Sequence, residues 1–589
     1  MREPLQFYTE EKEKLETEFT ILKKKILQTS IVRLLAFLTI CASVYLIIYG
    51  KTNAVFATFI GFVLFVFFIV KYVNLQRKKD LISAKIKINT TEIEVLNRDF
   101  HSLETGEEFI NPAHYYSNDI DLFGIGSFFQ YINRAVTDKG KKLLAHLLLE
   151  NSIENIEEKQ EALKELSEKI KWRQHFSALA SLVSVKKDTN NIASWLHNYN
   201  FRFSDFIAFF PKIFGLISVV LIGLLSFSII SFSVLVIWFF IGLGITAFFF
   251  KKVQTLYTET DKVRETFKQY HQLLNEIENE TFTSKFLVEK QKIIQSENKK
   301  ASLIFKEFSK VLDAFDQRNN IVIVVFGNAL FLWDINNAGR VEKWIKSYKH
   351  TVEQWFDVVA FFDAQNSLAN FKYNHPKFIF PKITTQKSVI NGKNIGHPLL
   401  DSTKRIDNDF VINKEQFFIV TGANMAGKST FLRTVSLSIV MTNCGLPVCA
   451  EEFKYSPIKL ITSMRTSDSL TEDESYFYSE LKRLKFIVDE IENEDYFIIL
   501  DEILKGTNSK DKAIGSKKFV EKLSNSKSTG IIATHDVSLC DLSDEFKDIE
   551  NYYFDAEIIE DELHFDYTLK NGICKNMNAS FLLKKMKIV

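Results

Sequence analysis

Residues 417–430 read FFIVTGANMAGKST, a short apolar run followed by a glycine-bounded loop and then by residues that favour a helix. The loop follows the pattern Gly-x-x-x-x-Gly-Lys-Ser between Gly422 and Ser429. When a strand breaks into such a loop and continues as a helix, several backbone N–H groups and the positive end of the helix dipole point at one place, which suits phosphate. The spacing therefore predicts a phosphate-binding loop, and the alternative is an ordinary glycine-rich turn.

The predicted loop assigns a role to each of its defining residues. Gly422 and Gly427 let the backbone close around an anion, and Lys428 is long enough to reach the β- and γ-phosphates of a nucleoside triphosphate. The hydroxyl of Ser429 is an oxygen ligand of the kind that Mg²⁺ accepts. We therefore expect ATP and Mg²⁺ as cofactors. The predicted nucleotide-binding run is Gly422, Ala423, Asn424, Met425, Ala426, Gly427, Lys428, Ser429 and Thr430.

Two later apolar segments end in polar residues that suit nucleotide hydrolysis. Residues 496–502 read YFIILDE, which predicts a buried parallel strand ending in Asp501 and Glu502. In this position Asp501 is expected to hold Mg²⁺ through water, and Glu502 to polarise the attacking water. Residues 530–533 predict another strand, which ends just before Thr534 and His535. We expect His535 to sense the γ-phosphate and to join Glu502 and Lys428 as a catalytic residue; the alternative is a structural histidine at a strand end.

Composition limits the possible partners and the cellular compartment. The 589 residues include 74 Lys+Arg and 73 Asp+Glu, so no overall positive charge indicates nucleic acid, and any such binding would need a local surface. The five cysteines are odd in number and lack Cys-x-x-Cys spacing. This pattern fits a reducing compartment and argues against a disulfide framework or a zinc site.

Two pairs of long apolar runs indicate membrane hairpins. The first pair predicts spans at about residues 31–49 and 54–73, and the second pair occupies residues 213–230 and 232–250. Lysines and arginines flank both pairs. By the positive-inside rule, the segments before and after each hairpin therefore lie in the cytoplasm. No cleavable signal peptide is evident. We therefore expect a multi-pass protein of the inner (cytoplasmic) membrane with four spans and cytoplasmic soluble parts; the alternative is a hairpin buried in a protein core.

The remaining segments suggest five regions along the chain. Residues 255–319 are highly charged with apolar residues at helical spacing, which predicts an extended antiparallel arm or lever, with a solvated bundle as the alternative. The predicted regions are an N-terminal helix and hairpin (1–110), core or lever helices (111–205), a second hairpin (206–252), lever or clamp helices (253–375) and an ATPase domain (376–589).

These motifs together resemble the MutS mismatch-recognition ATPases, which belong to the ABC-type ATPase class. TGANMAGKSTFLR, LDEILKGTNS and ATHD are similar to that family's phosphate loop, its acidic strand end and its histidine strand end. DESYFYSEL resembles a signature whose serine, here Ser475, reaches ATP bound by the partner subunit in trans. Phe410 in NDFVIN corresponds to the aromatic that stacks on adenine. The resemblance covers roughly residues 115–200 and 255–589.

The resemblance implies an α/β P-loop ATPase domain of ABC type, with a mixed sheet and flanking helices, preceded by an all-α lever or clamp region and the two transmembrane hairpins. It also implies a homodimer formed through the ATPase heads. The chain departs from the family in its first 110 residues, where we find a hairpin and no Phe-x-Glu wedge of the kind that reads mispaired bases. Ala423 and Ala426 also replace a proline and a glycine of the family loop.

The function expected from the sequence is a membrane-anchored MutS-type ATPase that binds double-stranded DNA, mismatched or otherwise distorted, in an ATP-dependent manner. One alternative is an ATP-gated membrane scaffold or sensor that binds protein partners without DNA. A transporter-type ATPase is less favoured, because its Leu-Ser-Gly-Gly signature is absent and very few ionisable residues lie within the predicted spans.

Overall fold

The computed structural model describes residues 3–182, 189–204, 209–295, 299–423, 425–465, 476–505, 508–559 and 562–574. Its α-helices are α1 Pro4–Ile48, α2 Ala54–Leu96, α3 Phe128–Ile132, α4 Asp138–Leu149, α5 Ile156–Glu168, α6 Ile170–Ser181, α7 Thr189–His197, α8 Phe210–Ser226, α9 Phe232–Asp261, α10 Arg264–Asn279, α11 Lys285–Ile294, α12 Ala301–Asp316, α13 Asn328–Phe331, α14 Trp333–Tyr348, α15 Val352–Asn374, α16 Lys428–Asn443, α17 Tyr476–Ile491, α18 Ser509–Ser524 and α19 Leu542–Glu545. Its strands are β1 Lys382–Ile383, β2 Ser388–Ile395, β3 Asn408–Asn413, β4 Phe417–Gly422, β5 Glu452–Tyr455, β6 Lys459–Ser463, β7 Tyr496–Asp501, β8 Thr529–Ala533, β9 Ile549–Ile559 and β10 Glu562–Asn571.

The first hairpin consists of α1 and α2, and both helices continue well beyond their apolar parts. Their polar extensions lie against the helical region of the protein. The hydroxyl of Tyr8 donates to Oδ1 of Asn374 over 2.9 Å, and Nε2 of Gln174 donates to Oδ1 of Asn89 over 3.0 Å. These buried hydrogen bonds connect both helices of the hairpin to α6 and α15.

Within the described residues, three helices are long and apolar enough to cross a membrane: α1, α2 and α9. The remaining predicted span, at residues 213–230, corresponds to α8, which has only 17 residues, or about 26 Å, and is short of the roughly 30 Å of a bilayer core. It ends at Ser226 because the chain turns there, with Ser228 in the left-handed region at φ 58°. The structure therefore does not support four full-length spans.

The region predicted as an extended arm is a compact bundle. Its helices α10 and α12 have 16 residues each and pack together through fully buried aromatic side chains, including Phe267, Phe305 and Phe308. Trp344 of α14 stacks on Phe308 with a centroid distance of 3.8 Å. The prediction of an arm was wrong, because these apolar stripes bury one another and also face α14 and α15.

The C-terminal part contains a six-stranded mixed sheet in the order β10-β9-β4-β8-β7-β6, where only the β9–β10 pair is antiparallel. A four-stranded sheet of order β1-β5-β2-β3 lies beside it. Strands β4, β7 and β8 are almost wholly buried, as expected for the centre of a parallel sheet covered by helices. The predicted mixed sheet with flanking helices is thus present, and its central strands end at a common edge.

A polar connection joins this sheet to the helical region. Asp119, which precedes α3, accepts hydrogen bonds from Oγ1 of Thr462 at 2.5 Å and from the backbone N–H of Arg465 at 2.8 Å. Asp121 forms an ion pair with Arg433 of α16 at 3.1 Å. Since α16 begins at the phosphate-loop pattern, this ion pair links the helix of that pattern to the segment that precedes α3.

Candidate nucleotide-binding site

The phosphate-loop pattern lies between the end of β4 and the start of α16, in the strand–loop–helix context that the sequence predicted. Gly422 and Gly427 have φ angles of +148° and +103°, which favour glycine. A Cβ atom at Gly422 would lie 2.6 Å from the carbonyl oxygen of Phe554, so a side chain there would clash with β9. Asn424 lies outside the described residues.

Other residues of the loop differ in exposure. The side chain of Met425 is 77% exposed, whereas that of Ala426 is buried. Ser429 and Thr430 are exposed at the first turn of α16. The open side of the loop therefore presents the N-terminus of α16 and the hydroxyls of its first turn, which suits an anion.

The side chain of Lys428 is held by backbone carbonyl groups of the loop. The side chain is buried, and its Nζ donates to the carbonyl oxygens of Gly422 at 2.7 Å and of Ala423 at 2.9 Å. Burial lowers the pKa of Lys428, and the nearby carboxylates of Asp501 and Glu502 act in the opposite direction. Its ammonium group is thus positioned within the loop and is surrounded by oxygen acceptors.

Ser429 and Asp501 come together across the strand ends as a candidate Mg²⁺ pair. The hydroxyl of Ser429 donates to Oδ2 of Asp501 over 2.8 Å. Among the described residues there is no group of three or more His, Cys, Asp or Glu side chains that could hold a metal ion. One hydroxyl and one carboxylate nevertheless fit Mg²⁺, which commonly takes one or two protein oxygens and completes its shell with water and phosphate oxygens.

Glu502 and His535 form the second contact at the strand ends. Nε2 of His535 donates to Oε1 of Glu502 over 2.7 Å, and Nζ of Lys505 lies 3.6 Å from Oε2. The hydrogen bond from His535 is the largest cause that lowers the pKa of Glu502 from 4.5 to about 2, although burial acts in the opposite direction. Glu502 also has φ +56°, a strained conformation for a non-glycine residue, of the kind that clusters at functional sites.

Backbone hydrogen bonds fix the relative positions of the three strand ends. The N–H of Glu502 donates to the carbonyl of Ala533 over 2.9 Å, and the N–H of Thr534 donates to the carbonyl of Val420 over 3.0 Å. As a result, Nζ of Lys428 lies 3.5 Å from Nε2 of His535. The residues that the sequence nominated from three separate segments therefore lie within one small region.

Glu480 in α17 supports the loop that follows the carboxylates. Its buried carboxylate accepts a hydrogen bond from the backbone N–H of Lys505 over 3.0 Å. This contact holds the residues just after Glu502. Ser475, predicted to act in trans, lies outside the described residues, as does the loop of Gly506 and Thr507.

The aromatic residue predicted to stack on adenine does not present a free face. Phe410 is only 2% exposed and packs edge-on against Phe418 and Phe431, with centroid distances of 5.5 and 5.4 Å. In this conformation it is a core residue, so the stacking role is not available to it.

Tyr567, which we did not single out from the sequence, lies against the loop instead. A Cβ atom at Gly427 would be 3.0 Å from Cδ1 of Tyr567, and the tyrosine side chain is 44% exposed. An irregularity in the β9–β10 pairing places it there with φ +53°. No local sequence pattern predicted this position, because it depends on the pairing of β10 with β9, which lies next to β4 in the sheet.

Comparison with known proteins gives a family match over the part of the chain that contains this site. The family described as MutS domain V matches residues 418–586. The chain is 26% identical over 245 residues to human MutS protein homolog 4, a match covering 40% of this chain and 26% of that protein. It is 30% identical over 200 residues to the DNA mismatch repair protein MSH4 of Arabidopsis thaliana, covering 32% of this chain and 24% of that protein.

A third relative gives a similar result. The DNA mismatch repair protein MutS of Methanococcoides burtonii is 28% identical over 271 residues, which cover 44% of this chain and 29% of that protein. The match to these relatives thus spans between about a quarter and three tenths of their length. The part of the chain that carries the site described above is thus similar to domain V of the MutS family.

Proposed function

We propose that this protein is a membrane-anchored ATPase of the MutS family in which ATP draws two ATPase domains together, and that the closed pair binds double-stranded DNA that is mismatched or otherwise distorted. The observation that carries the proposal is the convergence of Lys428, the Ser429–Asp501 pair and the Glu502–His535 pair on the edge of one sheet. The names of the relatives, which mention DNA mismatch repair, support the DNA part.

The chemistry assigned to this site is nucleotide hydrolysis. Lys428 and the backbone of the loop would bind the phosphates, while Ser429 and Asp501 would hold Mg²⁺, which neutralises charge on the phosphate oxygens. Glu502, ionised at neutral pH and oriented by His535, would accept a hydrogen bond from water and direct it for attack. The residues of this chain thus bind, orient and hold a proton acceptor in place.

The membrane part of the proposal depends on α1, α2 and α9. Their apolar segments leave large side chains such as Phe56, Phe59 and Phe248 at 74%, 68% and 83% exposed, which is unfavourable in water. A lipid bilayer would cover them. Lys23, Lys24, Lys25 and Lys78 near the ends of the hairpin are expected to face the cytoplasm, with the ATPase domain on the same side of the inner membrane.

Hydrolysis is tested with the full-length protein in detergent and Mg²⁺. Glu502→Gln is expected to lower the rate of ATP hydrolysis by about 100-fold or more, because it removes the proton acceptor while keeping the shape of the side chain. ATP binding should persist. Glu451→Gln, at an exposed position outside the site, is the matched control and should hydrolyse ATP at the wild-type rate. Wild-type protein that does not hydrolyse ATP would overturn the proposal.

The same variant separates the DNA partner from a protein partner. In the presence of ATP, Glu502→Gln should accumulate the closed dimer, and this form should retain mismatched or branched duplex DNA at low salt and release it as salt rises. Without ATP the retention should be weak. If the closed dimer forms but retains no DNA, while a protein co-purifies with it, the ATP-gated scaffold is the correct function.

A further inference from the structure

A third apolar segment lies beside the second hairpin, between α12 and α14. From Ile321 to Trp333 the chain reads IVIVVFGNALFLW and contains no charged residue. It is too short to span a bilayer, and apolar segments of about 10–14 residues are typically core helices or re-entrant membrane segments. The sequence alone did not distinguish it from the soluble helices around it.

This segment, which we call the tip segment (residues 321–332), is a broken helix with apolar side chains on its outside. Residues 323–327 form a π-helix and α13 follows, but Leu332 adopts φ +48° and ends the run. Ile321, Val322, Phe326 and Phe331 are 76%, 59%, 56% and 41% exposed. A soluble surface rarely concentrates so many large apolar side chains on one short, irregular segment.

Small residues of the second hairpin let the tip segment approach closely. A Cβ atom at Gly242 of α9 would lie 2.1 Å from the carbonyl oxygen of Ala329, so only glycine permits this contact. The ring of Phe326 lies edge-on to that of Phe239 at 5.9 Å. Close backbone contact through glycine is how helices pack in lipid, where no hydrophobic effect drives them together.

The polar groups exposed by the helix break find partners on the hairpin side. The N–H of Asp334 donates to Oδ1 of Asn328 over 2.9 Å, which removes the usual helical donor for the carbonyl of Leu330. That carbonyl instead accepts a hydrogen bond of 2.6 Å from the hydroxyl of Ser218 in α8. Nε1 of Trp238 in α9 donates to the same hydroxyl over 2.7 Å. A broken helix is tolerated at membrane depth only when neighbours satisfy its backbone in this way.

A buried ion pair closes the base of the tip segment. Arg318, just before the segment, and Asp334, just after it, approach to 3.4 Å with side chains 7% and 5% exposed. The guanidinium of Arg318 also lies over the ring of Tyr257, 5.1 Å from its centroid. The charged residues thus stand at the base of the segment, and the apolar ones lie beyond it.

From this arrangement we propose that the tip segment is a re-entrant membrane element that inserts among lipid acyl chains beside α8 and α9. Lipid is the occupant that fits, because the exposed side chains of the tip segment continue the apolar surface of α9, where Phe240 is 64% exposed. The inference rests on the proposed membrane anchoring. It goes further by placing the α12–α14 connection of the cytoplasmic bundle inside the bilayer, so that a movement of the bundle would also move a lipid-embedded element.

The test places one fluorescent probe at a time and measures quenching by lipids that carry a doxyl group on the acyl chain, in vesicles containing the full-length protein. The background is Cys41→Ser, because Cys41 is exposed whereas the other four cysteines are buried. Probes are attached at Phe326→Cys in the tip segment, Phe240→Cys in α9 and Leu303→Cys in α12. Leu303 is the matched control, since it is also a large apolar residue, 44% exposed, but lies in the bundle.

We expect acyl-chain quenching at positions 326 and 240 and not at 303, with aqueous iodide quenching only the probe at 303. Quenching by lipid at 240 alone, with iodide reaching 326, would overturn the re-entrant segment and leave the membrane anchor intact. A probe at 326 reached by neither quencher would show a protein partner over the segment, which also overturns it. Loss of lipid quenching at 240 as well would overturn the re-entrant segment and show that α9 does not enter the bilayer, leaving α1 and α2 as the proposed anchor.

Discussion

The candidate nucleotide site and the contact between the tip segment and the second hairpin both lie where a regular element breaks. Their polar side chains, however, point in opposite directions. At the strand ends of the sheet, polar side chains such as Lys428 and Glu502 converge on an open edge above a buried apolar core. At the hairpin, large apolar side chains face outward, and the polar atoms of Ser218 and Leu330 are directed inward.

This difference is the one expected if the sheet edge works in water and, as proposed, the hairpin lies in lipid. In water, a site can leave its polar groups unpaired at the surface until a ligand arrives, and burial of the apolar strands supplies stability. In lipid, an unpaired backbone carbonyl costs several kcal/mol, and packing depends on small residues that permit close approach. We therefore expect substitutions at the sheet edge to affect ligand binding, and substitutions at the hairpin to affect stability.

The largest expected effect is that of Lys428→Ala on ATP affinity. This change removes a cation that the loop holds within reach of phosphate, and charge-assisted hydrogen bonds of this kind contribute up to about 3 kcal/mol, or roughly 100-fold in the dissociation constant. Equilibrium binding of a fluorescent ATP analogue to the full-length protein measures it. Lys414→Ala, at an exposed lysine of the same domain, should bind as the wild type does.

Equal ATP affinities for the two alanine variants would contradict the expectation that substitutions at the sheet edge affect ligand binding. In that case the hydrogen bonds of Lys428 to Gly422 and Ala423 would be only structural, and thermal unfolding would show the loss instead.

A smaller effect, now on stability, is expected from Gly242→Ala. The added methyl group would meet the backbone of Ala329, and overpacking of this kind costs about 1–3 kcal/mol. Gly244→Ala is the matched control: it lies in the same helix, where an added Cβ would have nothing within 4 Å, so its unfolding temperature should not fall. Thermal unfolding in detergent compares the two. A control as unstable as Gly242→Ala would show that helix α9 needs glycine for some other reason than contact with the tip segment.

The positions of most residues of the candidate nucleotide site were predictable from sequence, because its motifs are local. The run from Gly422 to Ser429 contains a turn, the start of a helix and a cation within a few residues. Strand β7 is a recognisable apolar run that ends at Asp501 and is followed directly by Glu502. Phe410 and Tyr567 were not predictable in the same way. The exposure of each ring depends on which strands are neighbours in the sheet, and that is a property of topology.

The helical half was predicted less well for a related reason. Apolar residues at helical spacing in α10 and α12 indicate helices, but they do not say whether the stripe faces another helix or an elongated partner. In the tip segment the decisive residues are small, and a glycine such as Gly242 carries no signal of its role until Ala329 is placed against it. The sequence therefore predicted the elements here and missed their arrangement.

The next effect distinguishes the two aromatic residues. Tyr567→Ala should weaken ATP binding by about fivefold, since stacking or edge contact of one aromatic ring contributes about 0.5–1.5 kcal/mol, and Tyr567→Phe should restore it. Phe410→Leu keeps an apolar side chain in the core, so it should lower the unfolding temperature slightly without changing affinity. The reverse result, with affinity lost in Phe410→Leu and kept in Tyr567→Ala, would show that the ATP-bound form turns Phe410 outward.

The smallest expected effect is a pH dependence at the Glu502–His535 pair. The pKa of Glu502 is lowered to about 2 in the folded protein, against an ordinary value of 4.5 that it regains on unfolding. Its stabilising contribution is therefore fully present above pH 4.5 and is lost as the pH falls toward 2. His535→Ala removes the largest cause of the lowered pKa, so the variant should be less stable than the wild type at pH 6, and the difference should narrow as the pH falls from 5 to 3.

Thermal unfolding in detergent across that pH range measures the difference in stability between the wild type and His535→Ala. The same comparison in the Glu502→Gln background shows how much of its pH dependence comes from Glu502. In Glu502→Gln the titrating carboxyl is absent, so adding His535→Ala should change the unfolding temperature by an amount that does not vary between pH 5 and pH 3. If the change in unfolding temperature caused by His535→Ala shrinks equally with pH in both backgrounds, the pKa of another acidic group must depend on His535. The hydrogen bond between His535 and Glu502 would then not be what keeps this carboxylate ionised, and the proton acceptor at the sheet edge would depend on Lys505 and Lys512, the other groups that lower its pKa.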